Sequence, residues 1–119
     1  MRVTNDSIIS NSVDLSTSWV SDPIWLGHMR DFSIQLFFNG LPNGVLRLQC
    51  SNDRENIPDT NSGVNNWSLV QGSTQAIAAA GDHTWAVSDA GYRWVRVQWI
   101  PGMSSEGAIY NGRINGKGW

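Results

Sequence analysis

The side chains able to do covalent or proton-transfer chemistry near neutral pH are few: one cysteine, Cys50, and two histidines, His28 and His83. Nucleophilic catalysis needs a serine or cysteine beside a positioned base, and the chain has no Gly-x-Ser-x-Gly elbow to present one. His28 lies in Leu26-Gly27-His28-Met29, which reads as a turn, and His83 shares a strand with Trp85. Neither has a second histidine or a cysteine at zinc-binding spacing. Cys50 alternates with Leu46 and Leu48 and so falls on the apolar side of its strand, where a thiol packs as a small hydrophobe. Asn52-Asp53-Arg54-Glu55, followed by Asp59, gathers oxygen ligands without the spacing or glycine of an EF-hand, and reads as a solvated loop. Residues 112–118 are one residue short of a phosphate loop and end in glycine where Ser or Thr is required. The expectation is no catalytic residue, no metal, no cofactor and no enzyme activity.

Binding chemistry is better represented. The chain holds seven tryptophans, and all of its basic residues but Lys117 are arginine, a composition that protein interfaces favour. Trp85 and Trp99 alternate with core positions and are assigned to the interior. Trp19, Trp25, Trp67, Trp94 and Trp119 fall at strand edges, in loops or at the end of the sequence. Four such rings on the surface would expose roughly 600–1,000 Å², comparable with the ~800 Å² that one partner gives to a standard interface. Phe37, outward between Gln35 and Asn39, extends that surface, and Val3, Ile8, Ile9 and Trp119 suggest that both ends of the sequence dock on neighbours. The predicted interface residues are thus Val3, Ile8, Ile9, Trp19, Trp25, Phe37, Trp67, Trp94 and Trp119. An alternative use of flat indoles is to stack on sugar rings, for which Trp25, Trp67 and Trp94 with nearby Asn and Asp are the candidates.

The elements that must hold these rings are strands. Residues 31–38 alternate, with Phe32, Ile34, Leu36 and Phe38 on one face, and after a turn at 39–44 residues 45–51 alternate again, so the two read as a hairpin. Residues 52–66 are polar and interrupted by Pro58 and Gly63, which predicts a long surface loop. Further strands are expected at 16–20, 24–26, 67–70, 75–79, 82–87, 92–100 and 106–115. Within 92–100, Val95, Val97 and Trp99 point one way and Tyr92, Trp94, Arg96 and Gln98 the other. No segment carries an apolar stripe of helical period. The fold class is all-β: a single-domain antiparallel β-sandwich or jelly roll of about eight short strands. Residues 1–14 are read as an N-terminal arm and 15–119 as the β-sandwich domain.

At 119 residues one core suffices. The formal net charge is −2, and Lys and Arg gather nowhere, so nucleic acid is excluded as an expected partner. The longest apolar run, residues 76–80, is far below the ~20 needed to span a bilayer, and neither a membrane partner nor a secretion signal is expected. A single cysteine excludes an internal disulfide.

Three stretches together carry a resemblance: Ser21-Asp22-Pro23-Ile24-Trp25-Leu26; residues 46–53, LRLQCSND, leading to Trp67; and residues 91–97, GYRWVRV, followed by a glycine-rich strand ending Asn115-Gly116-Lys117-Gly118. The chain resembles small β-sandwich virion accessory proteins of tailed bacteriophages. It also resembles discoidin-type sandwiches, which bind sugars or lipids through their loops, although residues 54–66 here separate SND from its tryptophan. The phage resemblance implies a capsid decoration or cement protein at the capsid surface of the virion, made in the host cytoplasm. Its partners would be the major capsid protein and further copies of itself. The alternative is a carbohydrate-binding module of a tail or receptor-binding apparatus, with a glycan as partner.

Overall fold

In a computed structural model, which describes residues 3–9, 11–27, 29–52 and 66–118, the alternating segments form two antiparallel sheets packed face to face. The first contains β1 (Val3–Ser7), β2 (Val13–Asp14), β5 (Met29–Asn39), β9 (Gly81–Val87) and β11 (Ala108–Gly118). Its order is β1-β11-β5-β9, with β2 continuing β1 along the same edge of β11. The second contains β3 (Trp19–Val20), β4 (Ile24–Trp25), β6 (Gly44–Ser51), β7 (Ser68–Leu69), β8 (Gln75–Ile77) and β10 (Trp94–Pro101). There β3 and β4 share one edge of β10, β10 pairs with β6, and β7 and β8 share the far edge of β6. Eleven strands among the described residues thus fill four ladder positions in each sheet, which is the expected β-sandwich.

Both edges of the second sheet are broken, and a serine mends each break. Between β3 and β4 Pro23 has no N–H for the ladder; there the Ser21 hydroxyl accepts the Val97 N–H at 2.9 Å while Ser21 N donates to the Val97 carbonyl at 2.9 Å. Between β7 and β8 the Ser73 hydroxyl accepts the Leu48 N–H at 3.0 Å and donates to the Val70 carbonyl at 2.6 Å. Both serines are buried, so the central strands keep their backbone groups satisfied where the edge strands depart.

Outside β11, the inward faces are those the alternation predicts. Phe32, Ile34, Leu36 and Phe38 of β5, Ile109 and Ile114 of β11 and Trp85 of β9 meet Leu46, Leu48, Val95, Val97 and Trp99 of the second sheet. The two indoles of the inter-sheet core are also hydrogen-bonded: Trp99 Nε1 donates to the Leu15 carbonyl at 3.0 Å and Trp85 Nε1 to the Ser73 carbonyl at 2.8 Å.

Three expectations are revised. The hairpin of residues 31–38 and 45–51 does not form: β5 pairs with β11 and β9, and the turn carries the chain across to β6 in the other sheet. That crossover is locked to the one between β10 and β11, where Asn43 N donates to Ser105 Oγ at 3.0 Å and Glu106 N to the Leu41 carbonyl at 3.0 Å. The two backbones touch at Gly40 (φ 78°) and Gly107 (φ 110°), where a Cβ on Gly40 would lie 2.6 Å from Gly107 Cα. The described part of the N-terminal stretch, read as an arm, lies in the first sheet, with Val3 to Ser7 in register with Lys117 to Arg113. In β11 the alternation of Ala108, Tyr110 and Ile114 is interrupted by a register shift between Ile109 and Asn111 that leaves Tyr110 exposed. The predicted loop at 52–66 lies, from 53 to 65, outside the described residues, as do His28 and Trp119.

Candidate binding surface

The outward face of the second sheet is assembled by register. Trp94 stands between Trp25 and Ser51, Arg96 opposite Gln49 beyond which lies Leu69, and Gln98 between Val20 and Arg47. Ile100 follows opposite Val45. Side chains of directly paired residues share a face, so these form one continuous surface. Val20, Trp25, Leu69 and Ile100 are exposed on it.

Its polar side chains are held by neutral partners. Arg96 Nε donates to Gln49 Oε1 at 2.7 Å, and the Arg96 guanidinium carbon lies 4.2 Å from the centre of the Trp67 ring. Arg47 Nε donates to Gln98 Oε1 at 2.6 Å, completing two Arg–Gln pairs across the β6–β10 ladder. Burial pushes the Arg96 pKa down from its ordinary value, but a guanidinium stays cationic at neutral pH.

The predicted interface residues divide into three groups. Trp25, Trp67 and Trp94 lie together on this face, though Trp94 is only 1% exposed where an exposed ring was expected. It does point away from the core, but Trp25 on the neighbouring strand packs against it, ring centres 5.1 Å apart and planes inclined by 59°. Trp25, 38% exposed, folds over Gly27 (φ 56°), where a Cβ would lie 2.9 Å from the Trp25 indole nitrogen. The Trp94 indole N–H is buried without a hydrogen-bond partner.

Ile8, Ile9 and Trp19 form the second group, lining a groove of about 360 Å³ where the edges of the two sheets meet, together with Val13, Val20 and Asp22. Ile8 and Ile9 reach over Gly112, where a Cβ would lie 2.8 Å from Ile9 and 3.1 Å from Ile8. Phe37 stands apart on the outward face of the first sheet, half-buried, its ring 6.3 Å from that of Tyr110. Val3 is in β1 opposite Lys117, and Trp119 lies outside the described residues.

The surplus of exposed rings is therefore smaller than composition suggests. Trp85, Trp94 and Trp99 are buried, Trp19 and Trp67 are half-buried, and Trp25 is exposed. What sequence reading missed is the apolar frame of Val20, Leu69 and Ile100 and the paired Arg–Gln rungs. The alternation of Arg47 with Gln49 and of Arg96 with Gln98 was the available signal, lacking only the knowledge that β6 and β10 are neighbours.

Of the residues with covalent or acid–base chemistry, the described ones, His83 and Cys50, do not face this surface. His83 faces inward on β9, edge-on to Trp85 with ring centres 4.7 Å apart, and burial, opposed by the Asp82 charge, holds its pKa below the ordinary value. Burial raises the pKa of the half-buried Cys50 thiol. Among the described residues no three His, Cys, Asp or Glu side chains gather to hold a metal ion.

Tyr92 gives this region a measurable pH response. Its buried hydroxyl has no partner, and burial, with a smaller contribution from the neighbouring Cys50, pushes its pKa up to about 12 from 10.0. The folded state holds the phenolic proton after the unfolded chain has released it. Stability from this group is complete below about 10 and is lost as pH rises towards about 12. Urea midpoints measured across that interval are expected to fall in the wild type and to flatten in Tyr92→Phe; equal slopes in both would refute the assignment.

The arrangement defines an all-β sandwich presenting an aromatic and cationic sheet face. No protein-family model matches the sequence, and no curated protein does. Among solved structures, the SPBc2 prophage-derived protein YomS superposes with a TM-score of 0.58 at 10% identity, over 97% of this chain and 92% of that one. Chitosan-binding module 1 of a chitosanase/glucanase from Paenibacillus sp. IK-5 superposes with a TM-score of 0.52 at 19% identity, over 95% of this chain and 92% of the module. At these identities the likeness is one of fold, and both neighbours support the β-sandwich.

Proposed function

We propose that this protein is a non-catalytic structural component of a phage virion, a capsid decoration or cement protein that holds adjacent coat subunits together. The observation that carries this reading is the outward face of the second sheet, where exposed Val20, Trp25, Leu69 and Ile100 frame Arg47 and Arg96. A surface with two arginines framed by apolar and aromatic residues has the composition of a protein interface, and repetition over a shell adds avidity to each contact. Likeness to a prophage-derived protein along nearly the whole of both chains supports the viral setting.

The test is co-sedimentation of the purified protein with capsids of the encoding phage assembled without it. Saturable binding is expected, and Trp25→Ala should weaken it by about tenfold or more, the effect of truncating an aromatic anchor. Absence of binding to such capsids would reject the reading. A second reading, a glycan-binding module of the tail apparatus, is favoured by the exposed Trp25 ring and by the chitosan-binding neighbour. Tryptophan fluorescence titrated with soluble glycans, chitosan oligomers included, distinguishes it: saturation there without capsid binding supports this second function.

A further inference from the structure

We infer that the coat surface seated on the second sheet carries carboxylates, aligned with Arg47 and Arg96. The inference rests on the decoration reading and adds the chemistry of the partner. Ten Asp and Glu give the chain a net charge of −2, yet none of the described outward residues of β3, β4, β6, β7, β8 and β10 is acidic. Two arginines stand on that face, and no carboxylate lies within ion-pair distance of either among the described residues. Among the described strand residues of this face, the two arginines thus stand without an acidic neighbour.

Each guanidinium is oriented by a glutamine through Nε, and Arg96 is further fixed by the Trp67 ring. The glutamines fix position without neutralising charge, so the remaining N–H groups are available to a bidentate acceptor such as a carboxylate. Flanking Val20, Leu69 and Ile100 would exclude water from a covered pair and strengthen its attraction. An acidic sugar would satisfy the arginines too, but a single glycan strand leaves apolar residues on both flanks uncovered, whereas a protein surface covers them. A coat protein with Asp or Glu set among apolar residues is the occupant that fits the whole face.

The experiment measures co-sedimentation with capsids assembled without the protein, at about 50 mM and about 500 mM NaCl. It uses the wild type, Arg47→Gln, Arg96→Gln, the double variant and Arg96→Lys, each checked for an unchanged melting profile. Should Arg96→Gln lose the fold through its Trp67 contact, Arg47→Gln carries the comparison. High salt should weaken wild-type binding, and the double variant should bind about tenfold or more weakly with little salt response left, while Arg96→Lys keeps most of the salt response. Wild-type affinity and salt dependence in the double variant would overturn the inference and leave decoration standing. No capsid binding by the wild type removes both. Arginine-dependent, saturable binding of polygalacturonate in place of capsids would overturn the protein occupant.

Discussion

Trp99→Ala is expected to lower the free energy of unfolding by about 3–5 kcal/mol, the usual cost of emptying a large buried aromatic site. Trp99 is fully buried in β10, a central strand of its sheet. Its indole N–H donates to the Leu15 carbonyl at 3.0 Å, tying the segment that leads into β3 to the core. Its ring also lies against Gly44, where a Cβ would come within 2.8 Å of it, so the neighbouring backbone is shaped to the indole. Collapse around the void is limited because Leu46 and Val97 are themselves held in ladders. Domains are stable by about 5–15 kcal/mol, so this one change would remove a large part of the total. Urea unfolding followed by far-ultraviolet circular dichroism measures it without relying on indole fluorescence. Trp99→Phe keeps most of the volume and should cost about 1–3 kcal/mol, chiefly through the abandoned Leu15 carbonyl. A loss below about 1 kcal/mol in Trp99→Ala would contradict the packing described.

Gly107→Ala is expected to cost about 2–5 kcal/mol although it adds a single carbon, because conformational strain and overpacking act together. The residue has φ 110°, a region that side-chain-bearing residues rarely adopt. The new Cβ would lie 2.0 Å from the Asn39 carbonyl oxygen, an atom of the neighbouring crossover with no freedom to swing aside. Gly91→Ala is the matched control, since nothing lies within 4 Å of its Cβ position. It should be near neutral or slightly stabilising. Similar losses at both sites would mean that the crossovers are not in the contact described.

Which faces are buried was legible in the sequence, because alternation reports directly which side of a strand meets water. Phe32, Ile34, Leu36 and Phe38 were placed inward on that ground and are inward. Which strand lies beside which was not legible, since β5 and β6 would alternate identically in a hairpin or across a sandwich. The choice is made by contacts remote in sequence, such as Gly40 on Gly107 and Asn43 on Ser105. The binding surface follows the same rule. Arg96 and Gln98 were rightly separated from Val95 and Val97, but their pairing with Gln49 and Arg47 exists only once β6 and β10 are neighbours. Trp94 was placed on the correct side with the wrong exposure, because its cover comes from Trp25 on a strand that alternation could not locate.

The position of β11 between β1 and β5 bears on how the chain is made. It follows every other described strand in sequence, yet it is the one to which β1, β2 and β5 are joined. While the ribosome is still translating those codons, β1 and β2 have no partner and one side of β5 stays open. The first sheet can close only after synthesis has passed residue 118, so a nascent copy exposes β-edges to its neighbours on a polysome. Abundant production would then depend on this closure outrunning encounters between unfinished chains, and slowing translation just before residue 108 should increase aggregation while leaving the finished molecule unchanged.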